Sequence, residues 1–505
     1  MSFWQRTTPT ALSILRSNKF FYITLGIFTA GVIWIALASL YPMAFDEEFH
    51  YGLIKIYATS WLPYGIQHTS DMAQYGSATA DASYLFHYLM SFPYRILHAV
   101  GLSDMLIIIL LRLINVALVA GAIIVFRKAL IEAKIGRLTT NISLLFFMFV
   151  PVLSMLAAQI NYDNLLLLIT ALSVLLTTRI TKNILAKKGL PTPAIWYLLI
   201  ALTMGACVKY AFLPIAGGIG IWLVILVLIA KKKHSYTFKK QLLTLQRSTV
   251  KLATKTKTIL IVLGLASIFF AFHYVTNYAQ YGSPIPPCEK VFDEQACNAY
   301  GPWERNHRFA RTRPASFQPM PISQYIADQW VPGMARRLTF ALAGKTNGFQ
   351  TKDQLPIVYF GFWILTIIGF ICLVARMIEQ RLKIGTFTWL ALLLCTVYAG
   401  VLIYQLYGDY LETGVAVAIN GRYLLLLLPL FGAVLLQSIV RYAIRIPHGI
   451  LLAILASTVL LFLIGGAGAS TYIVQSETHW FWPGFGQWSQ SVLKAIWNVF
   501  ILPLR

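Results

Sequence analysis

The sequence predicts an all-α, polytopic membrane protein, and three observations carry that reading. The 505-residue chain is 58% hydrophobic and only 12% charged, an apolar excess that no water-soluble surface accommodates. Its apolar residues gather in runs close to the roughly 20 residues that a helix needs to cross a bilayer. Strongly basic connecting segments alternate with segments that are not basic, as on the two sides of a membrane.

About eleven runs satisfy the length criterion, starting near Phe21, Met105, Asn141, Asn164, Ala194, Pro214, Ile259, Pro356, Thr386, Tyr423 and Gly449. The basic segments "RKALIEAKIGR", "RITKNILAKKG", "KKKHSYTFKKQLLTLQRSTVKLATKTKT", "RMIEQRLK" and "RYAIRIPHG" belong in the cytoplasm by the positive-inside rule. The N-terminal "SILRSNK" falls on the same side. The net charge of +23 is thus mostly loop charge facing anionic headgroups. No aromatic-interleaved module that would bind nucleic acid accompanies it. Met1 to Lys19 lacks a small-residue cleavage site, so the first apolar run reads as a retained span.

Cys207, Cys372 and Cys395 lie within apolar runs and read as small packing residues. Cys288 and Cys297 share one outer loop, where an oxidising compartment favours a disulfide; metal binding there would need two more ligands. No internal repeat is visible, and residues 1–505 read as one transmembrane domain with three long outer segments, 44–104, 277–354 and 470–505. In the first, "EEFHYGLIKIYATSWL" repeats Phe49, Leu53, Ile56 and Tyr57 at helical spacing, and "SYLFHYLMSFPYRILHAV" is apolar but interrupted by Pro93. Both read as interfacial helices. The second carries turn chemistry and the cations Arg305, Arg308, Arg311 and Arg313. The third, "THWFWPGFGQW", is rich in tryptophan that settles at headgroup level, and whether it leads into a short twelfth span is left open.

The candidate chemistry starts at "AFDEEFHYG". Asp46 precedes a helical pattern at an N-cap position, with Glu47 and Glu48 in the first turn, where the helix dipole favours negative charge. His50 follows Asp46 by four positions and can share its face. A carboxylate fixed at the interface and partly shielded suits a proton acceptor, which singles out Asp46. Other polar residues converge on the same leaflet: Tyr162, Asp163 and Asn164 in a turn, Lys209 and Tyr210 at a span end, and Asp409, Glu412 and Arg422. Each has an ordinary role, Asp163 as a helix cap, Lys209 as a snorkelling chain, Arg422 as an interface anchor. Their convergence is notable because only Arg112 lies well inside a predicted span. Arg422 heads an inward-running helix, a place suited to gripping phosphate with a forked guanidinium. No cofactor is called for, although Glu47-x-x-His50 and Glu304-x-x-His307 have the spacing of di-metal carboxylate bundles, which leaves a divalent metal open.

The first span followed by "FDEEFH", an interfacial helix, and "SYLFHYL" leading into "LRLIN" resembles the GT-C superfamily of integral-membrane glycosyltransferases. It is closest to the protein O-mannosyltransferase branch, whose first outer loop opens with an Asp-Glu pair followed by a histidine. "NYDN", "VKYAFLP", the C-x8-C loop and "NGRYLLLLLP" resemble an incompletely characterised group of bacterial membrane proteins thought to be GT-C relatives. Together these motifs cover most of the chain. The resemblance implies inverting transfer of a sugar from a polyprenyl-phosphate carrier, on the extracytoplasmic face of the cell membrane, to a hydroxyl of a glycan, lipid or protein. Asp46 takes the catalytic-base position, Glu47 is the second acid and His50 the following histidine; the extra Glu48 departs from the mannosyltransferase spacing. A departing lipid phosphate needs cations, for which Arg422 and Lys209 are the candidates, joined by Arg305 and Arg308 if the central loop folds over. Tyr51, Tyr84, His87 and Tyr88 are placed to meet sugar rings, and Tyr162, Asp163, Tyr210 and Asp409 complete the substrate-binding set. The alternative is a transporter or flippase of lipid-linked saccharides. Transporters put polar groups near the midplane and often repeat their halves, and this sequence does neither.

Overall fold

Backbone amides in hydrocarbon have no water to bond, so a chain this apolar closes its hydrogen bonds inside helices. The computed structural model describes residues 11–44, 46–63, 66, 69–186, 191–234, 254–341, 357–443 and 446–500, and among them helix is the only extended regular structure, apart from one isolated bridge between Ser39 and Phe481. Helix α1 (Asn18–Ala38) leads to a first loop holding α2 (Glu47–Tyr57), a 3₁₀ stretch (Ser70–Thr79) and α3 (Leu85–Ala99). The bundle continues through α4 (Asp104–Glu132), α5 (Arg137–Met148), α6 (Pro151–Ala157), α7 (Tyr162–Leu185), α8 (Thr192–Val208), α9 (Leu213–His234) and α10 (Thr254–Tyr281). A second loop carries α11 (Gly301–Thr312) and α12 (Val331–Leu338). After it come α13 (Ile357–Glu379), α14 (Thr386–Thr413), a 3₁₀ turn (Gly421–Leu426), α15 (Leu428–Ala443), α16 (His448–Ile464), α17 (Ala469–Gln475) and α18 (Phe485–Phe500).

Each of the predicted apolar runs falls on a helix, but fewer have the length to cross. Among the described residues, eight helices are long and apolar enough: α1, α4, α7, Tyr210–Ala230, Leu260–Tyr281, α13, α14 and His448–Gln475. The run from Asn141 is a pair, α5 and α6, bent by 72°, where Pro151 has no N–H to continue the ladder. The runs from Ala194 and Tyr423 yield shorter apolar helices, Pro193–Val208 and Leu428–Ala443. In the second case the apolar stretch opens as a 3₁₀ turn before the helix begins. The candidate twelfth span, α18, has 16 residues and docks on α1, where Trp34 Nε1–H donates to Ser489 Oγ at 3.1 Å. Pro93 does not interrupt α3, which runs through it. Most of the basic segment 231–258 and the end of the 277–354 loop lie outside the described residues.

The first loop is pinned to the bundle by one buried ion pair. Arg112, in the first third of α4, is fully buried. Its Nε and Nη2 donate to the two oxygens of Glu47 at 2.8 and 2.7 Å. Nη1 donates to the carbonyls of Ser39 and Ala36 at 2.7 and 3.1 Å, and Nη2 also to that of Leu40 at 3.1 Å, so every N–H of the guanidinium is used. Glu47 in turn accepts from the backbone N–H of Met43 at 2.8 Å and of Ile160 at 3.1 Å. Removing one partner of such a pair strands a buried charge, which costs on the order of 3–5 kcal/mol. Glu47→Gln and Arg112→Ala are each expected to lower the thermal unfolding midpoint of the purified protein sharply; an unchanged midpoint in both would show that the pair is dispensable.

Candidate functional site

At the head of α2 the acids diverge. Asp46 occupies the N-cap position, yet its backbone is left-handed (φ 70°) and its side chain makes no capping hydrogen bond, contrary to the cap expected from the sequence. Its carboxylate turns away from α2 to meet Arg422 Nη2 at 2.8 Å, while Glu47 points inward to Arg112. The side-chain bond between Asp46 and His50 does not form either. The two share only the backbone contact of a helical turn, His50 N–H to the Asp46 carbonyl at 3.0 Å.

Asp163 is likewise not a cap. Asn161 takes that part, its Oδ1 accepting from the Asp163 N–H at 2.9 Å, which leaves the Asp163 carboxylate for Lys209 Nζ at 2.8 Å and Arg422 Nε at 3.7 Å. Arg422 stands not on a long helix but in the 3₁₀ turn before α15, where Asn420 Oδ1 accepts from its N–H at 3.1 Å. The glycine of "NGRY" has a steric reason: a side chain on Gly421 would collide with the Met334 carbonyl and the Leu338 N–H of α12. The result is a chain of alternating charge, Asp46–Arg422–Asp163–Lys209, drawn from four distant parts of the sequence. Arg422, Asp163 and Lys209 are buried, whereas the Asp46 side chain is 54% exposed. The Lys209 ammonium lies 4.3 Å from the centre of the Tyr162 ring and 4.9 Å from that of Tyr423, a cation–π arrangement.

Beside this chain two buried imidazoles meet, His50 Nδ1 and His87 Nε2, at 2.9 Å. A ring N–H of His87 also bonds the Ser83 backbone. With that N–H on the other nitrogen, Nε2 of the neutral ring is the acceptor and His50 Nδ1–H the donor. Burial pushes His87 down to about 3. It holds His50 well below its ordinary value too, helped by His87 and by the charges of Arg422 and Lys209. Both rings are therefore neutral at pH 7.

A cavity of about 650 Å³ opens next to these groups, between the first and second loops. Of the sequence-predicted residues, His87, Tyr162, Lys209, Tyr210 and Glu412 are on its wall. Asp46, Glu47, His50, Asp163 and Arg422 are not among its lining residues; nor are Tyr84, which is buried with its ring 5.0 Å from that of His273, and Asp409. The second loop does fold over the first. Tyr300 lies on Gly76, where an added Cβ would come within 2.6 Å of the ring and the backbone is left-handed (φ 57°); Asn277 Nδ2–H donates to the Ala80 carbonyl at 2.7 Å. The Cys288–Cys297 disulfide closes the near end of that loop, with Cys288 on the cavity wall. Three of the loop arginines are engaged locally, Arg305 with Asn306, Arg308 with Glu304 and Arg311 with Glu294, while Arg313 reaches the carbonyls of Leu411 and Glu412 at the end of α14.

Sequence reasoning missed Asp81, a cavity residue whose carboxylate accepts from the Ser83 N–H at 3.1 Å. Burial pushes its pKa up to about 6 against the pull of that hydrogen bond. Nothing in "TADASY" marks it beyond being a lone acid in an otherwise uncharged stretch. Among the described residues no three His, Cys, Asp or Glu side chains gather as metal ligands. In the two carboxylate–histidine pairs, Glu47 is held by Arg112 and Glu304 by Arg308, while His307 stacks on Trp303 at 4.5 Å.

Comparison with protein-family models, curated proteins and solved structures gives no match, so the GT-C resemblance rests on the quoted motifs.

A raised carboxyl pKa means that Asp81 is protonated below about pH 6 and ionised above it, in place of the ordinary transition near 4. An infrared titration, taken as the difference between the protein and its Asp81→Asn variant, is expected to show one carboxyl converting to carboxylate near pH 6. A midpoint near 4 would mean that the site is wetter than its packing implies.

Proposed function

We propose that the protein is an inverting glycosyltransferase that moves a sugar from a polyprenyl-phosphate carrier to a hydroxyl acceptor on the extracytoplasmic face of a membrane. The observation that carries this reading is the 2.8 Å contact between Asp46 and Arg422, residues 376 positions apart, continued through Asp163 to Lys209 beside the cavity. The reaction needs a base on one side of the anomeric carbon and cations on the other, and this chain supplies both within a few ångströms.

Asp46 is the base. The acceptor hydroxyl attacks the anomeric carbon, its proton passes to the Asp46 carboxylate, and the bond from that carbon to the phosphate oxygen breaks. The lipid phosphate leaves with the bonding pair, and its added charge falls to Arg422 and Lys209. The half-exposed Asp46 is the one member of the chain open to an incoming hydroxyl, and a phosphate arriving at Arg422 takes over the hydrogen bond that Asp46 now holds. Glu47, enclosed by Arg112 and two backbone N–H groups, positions the loop and does not exchange protons. The helices long enough to span a bilayer support delivery of a lipid-borne donor. Lys182, near the far end of α7, lies roughly 30 Å from Asp163 at 1.5 Å per residue, so the site sits at the end of the bundle opposite to that basic segment.

Loss of a positioned base costs about 10²–10⁴-fold in rate. Asp46→Asn is expected to lose transfer from a labelled polyprenyl-phosphate sugar by at least that lower factor while unfolding at the parent's temperature. A variant that keeps its transfer rate would refute the assignment.

A further inference from the structure

The cavity beside the charge chain carries more information than the transfer reaction uses. The second loop supplies much of its wall, where rings and carboxylates stand together. Trp303 and His307 stack at 4.5 Å with their planes 13° apart, and Trp303 Nε1–H is turned onto Glu289 Oε2 at 2.7 Å. Tyr300 and Tyr210 add two more ring faces. Among the described lining residues stand Asp81, Glu289, Glu412 and Glu294, the last 3.8 Å from Arg311, against the ammonium of Lys209, whose charge Asp163 already takes.

Two physical consequences follow. Ionised carboxylates only accept hydrogen bonds, so this wall calls for a ligand that donates, through hydroxyl or ammonium groups. Flat aromatic faces call for a partner with an apolar face of its own, and a pyranose ring has both: equatorial hydroxyls at its rim and C–H bonds on its face. A carboxylate- or phosphate-bearing ligand would meet a surplus of like charge among the described lining residues, where Lys209 is already paired with Asp163. The volume, about 650 Å³, is within the range of about 300–1,000 Å³ that encloses drug-sized ligands, enough for more than one sugar ring.

We propose that this cavity is the acceptor site and that the acceptor is a saccharide without acidic groups, stacked on the second-loop rings. The inference rests on the glycosyltransferase reading for the word acceptor. The chemistry of the wall stands without it. Trp303 supplies the stacking face, and Glu289 and Glu412 set the preference against anions.

The test is a binding measurement on the full chain in nanodiscs, by saturation-transfer NMR, with a panel of neutral oligosaccharides and their uronate-bearing counterparts of equal length. Neutral members are expected to bind at least tenfold more tightly than their counterparts, and Trp303→Ala to lose at least tenfold while Trp303→Phe recovers part of it. The variant Glu412→Gln, changed only at an exposed side chain, is expected to narrow the discrimination. Equal or tighter binding of the uronates, or no binding by any member, overturns the proposal. Hydrolysis of a polyprenyl-phosphate sugar in the absence of acceptor probes the transfer reading separately: a protein that binds neutral saccharides and cleaves no donor keeps this site and loses that activity.

Discussion

The geometry of the site depends on one buried ion pair, Glu47 with Arg112. Two charges without solvent are retained only when their remaining donors and acceptors are satisfied, and here they are satisfied by main chain: carbonyls at the end of α1, the N–H of Met43 before α2, and the N–H of Ile160 before α7. The pair therefore ties three segments to α4 at one point. Because Glu47 is pulled inward, its neighbour Asp46 is turned outward into a left-handed backbone conformation. Because Ile160 is fixed, the turn that presents Asp163 is fixed with it, and Asp163 in turn holds Lys209 and faces Arg422. Such a pair adds little to stability over an apolar replacement; what it fixes is direction.

The charged chain beyond it obeys the same economy. Three of its four members are buried, and they alternate in sign, so each is compensated by its neighbour and none needs water. Burial, joined at His50 by the charges of Arg422 and Lys209, keeps the His50–His87 pair neutral. The exposed end of the chain is an acid and the buried end a cation. On the proposed reading, an anionic group entering from Asp46's side finds Arg422 first.

What could be read from the sequence divides along range of interaction. The helices, the disulfide and the oddity of Arg112 inside an apolar run depend on local composition and were legible. The capping parts given to Asp46 and Asp163 follow local propensity correctly and yet fail, because Arg422, 376 residues away, and Lys209, 46 residues away, outbid a helix end for those carboxylates. Asn161 was free to cap in Asp163's place. The partner of Arg112 lies 65 residues earlier, in an acidic cluster where any of three neighbours could have served. Asp81 had no sequence signal because its chemistry comes from the loop that covers it. An apolar run is not one helix at the α5–α6 bend and at the turn carrying Arg422; hydropathy measures the solvent a segment prefers, not where its hydrogen-bond ladder begins.

The second loop explains why the first carries glycine and small residues where it does. A loop rich in arginine has little reason to lie on a bundle unless it buries something, and it buries Tyr300 on Gly76, close to Phe49, whose ring centre is 6.3 Å away. The same contact brings the Tyr300 hydroxyl into an apolar setting near Asp46, and its pKa is raised first by burial and then by that carboxylate. Phe49 stands three residues after Asp46, on the helix whose head Glu47 anchors. The seat of the roof and the direction of the half-exposed acid are therefore set by the same turn of α2, which joins the cavity to the charge chain. That junction suits the proposed transfer, in which two ligands must meet at one carbon atom.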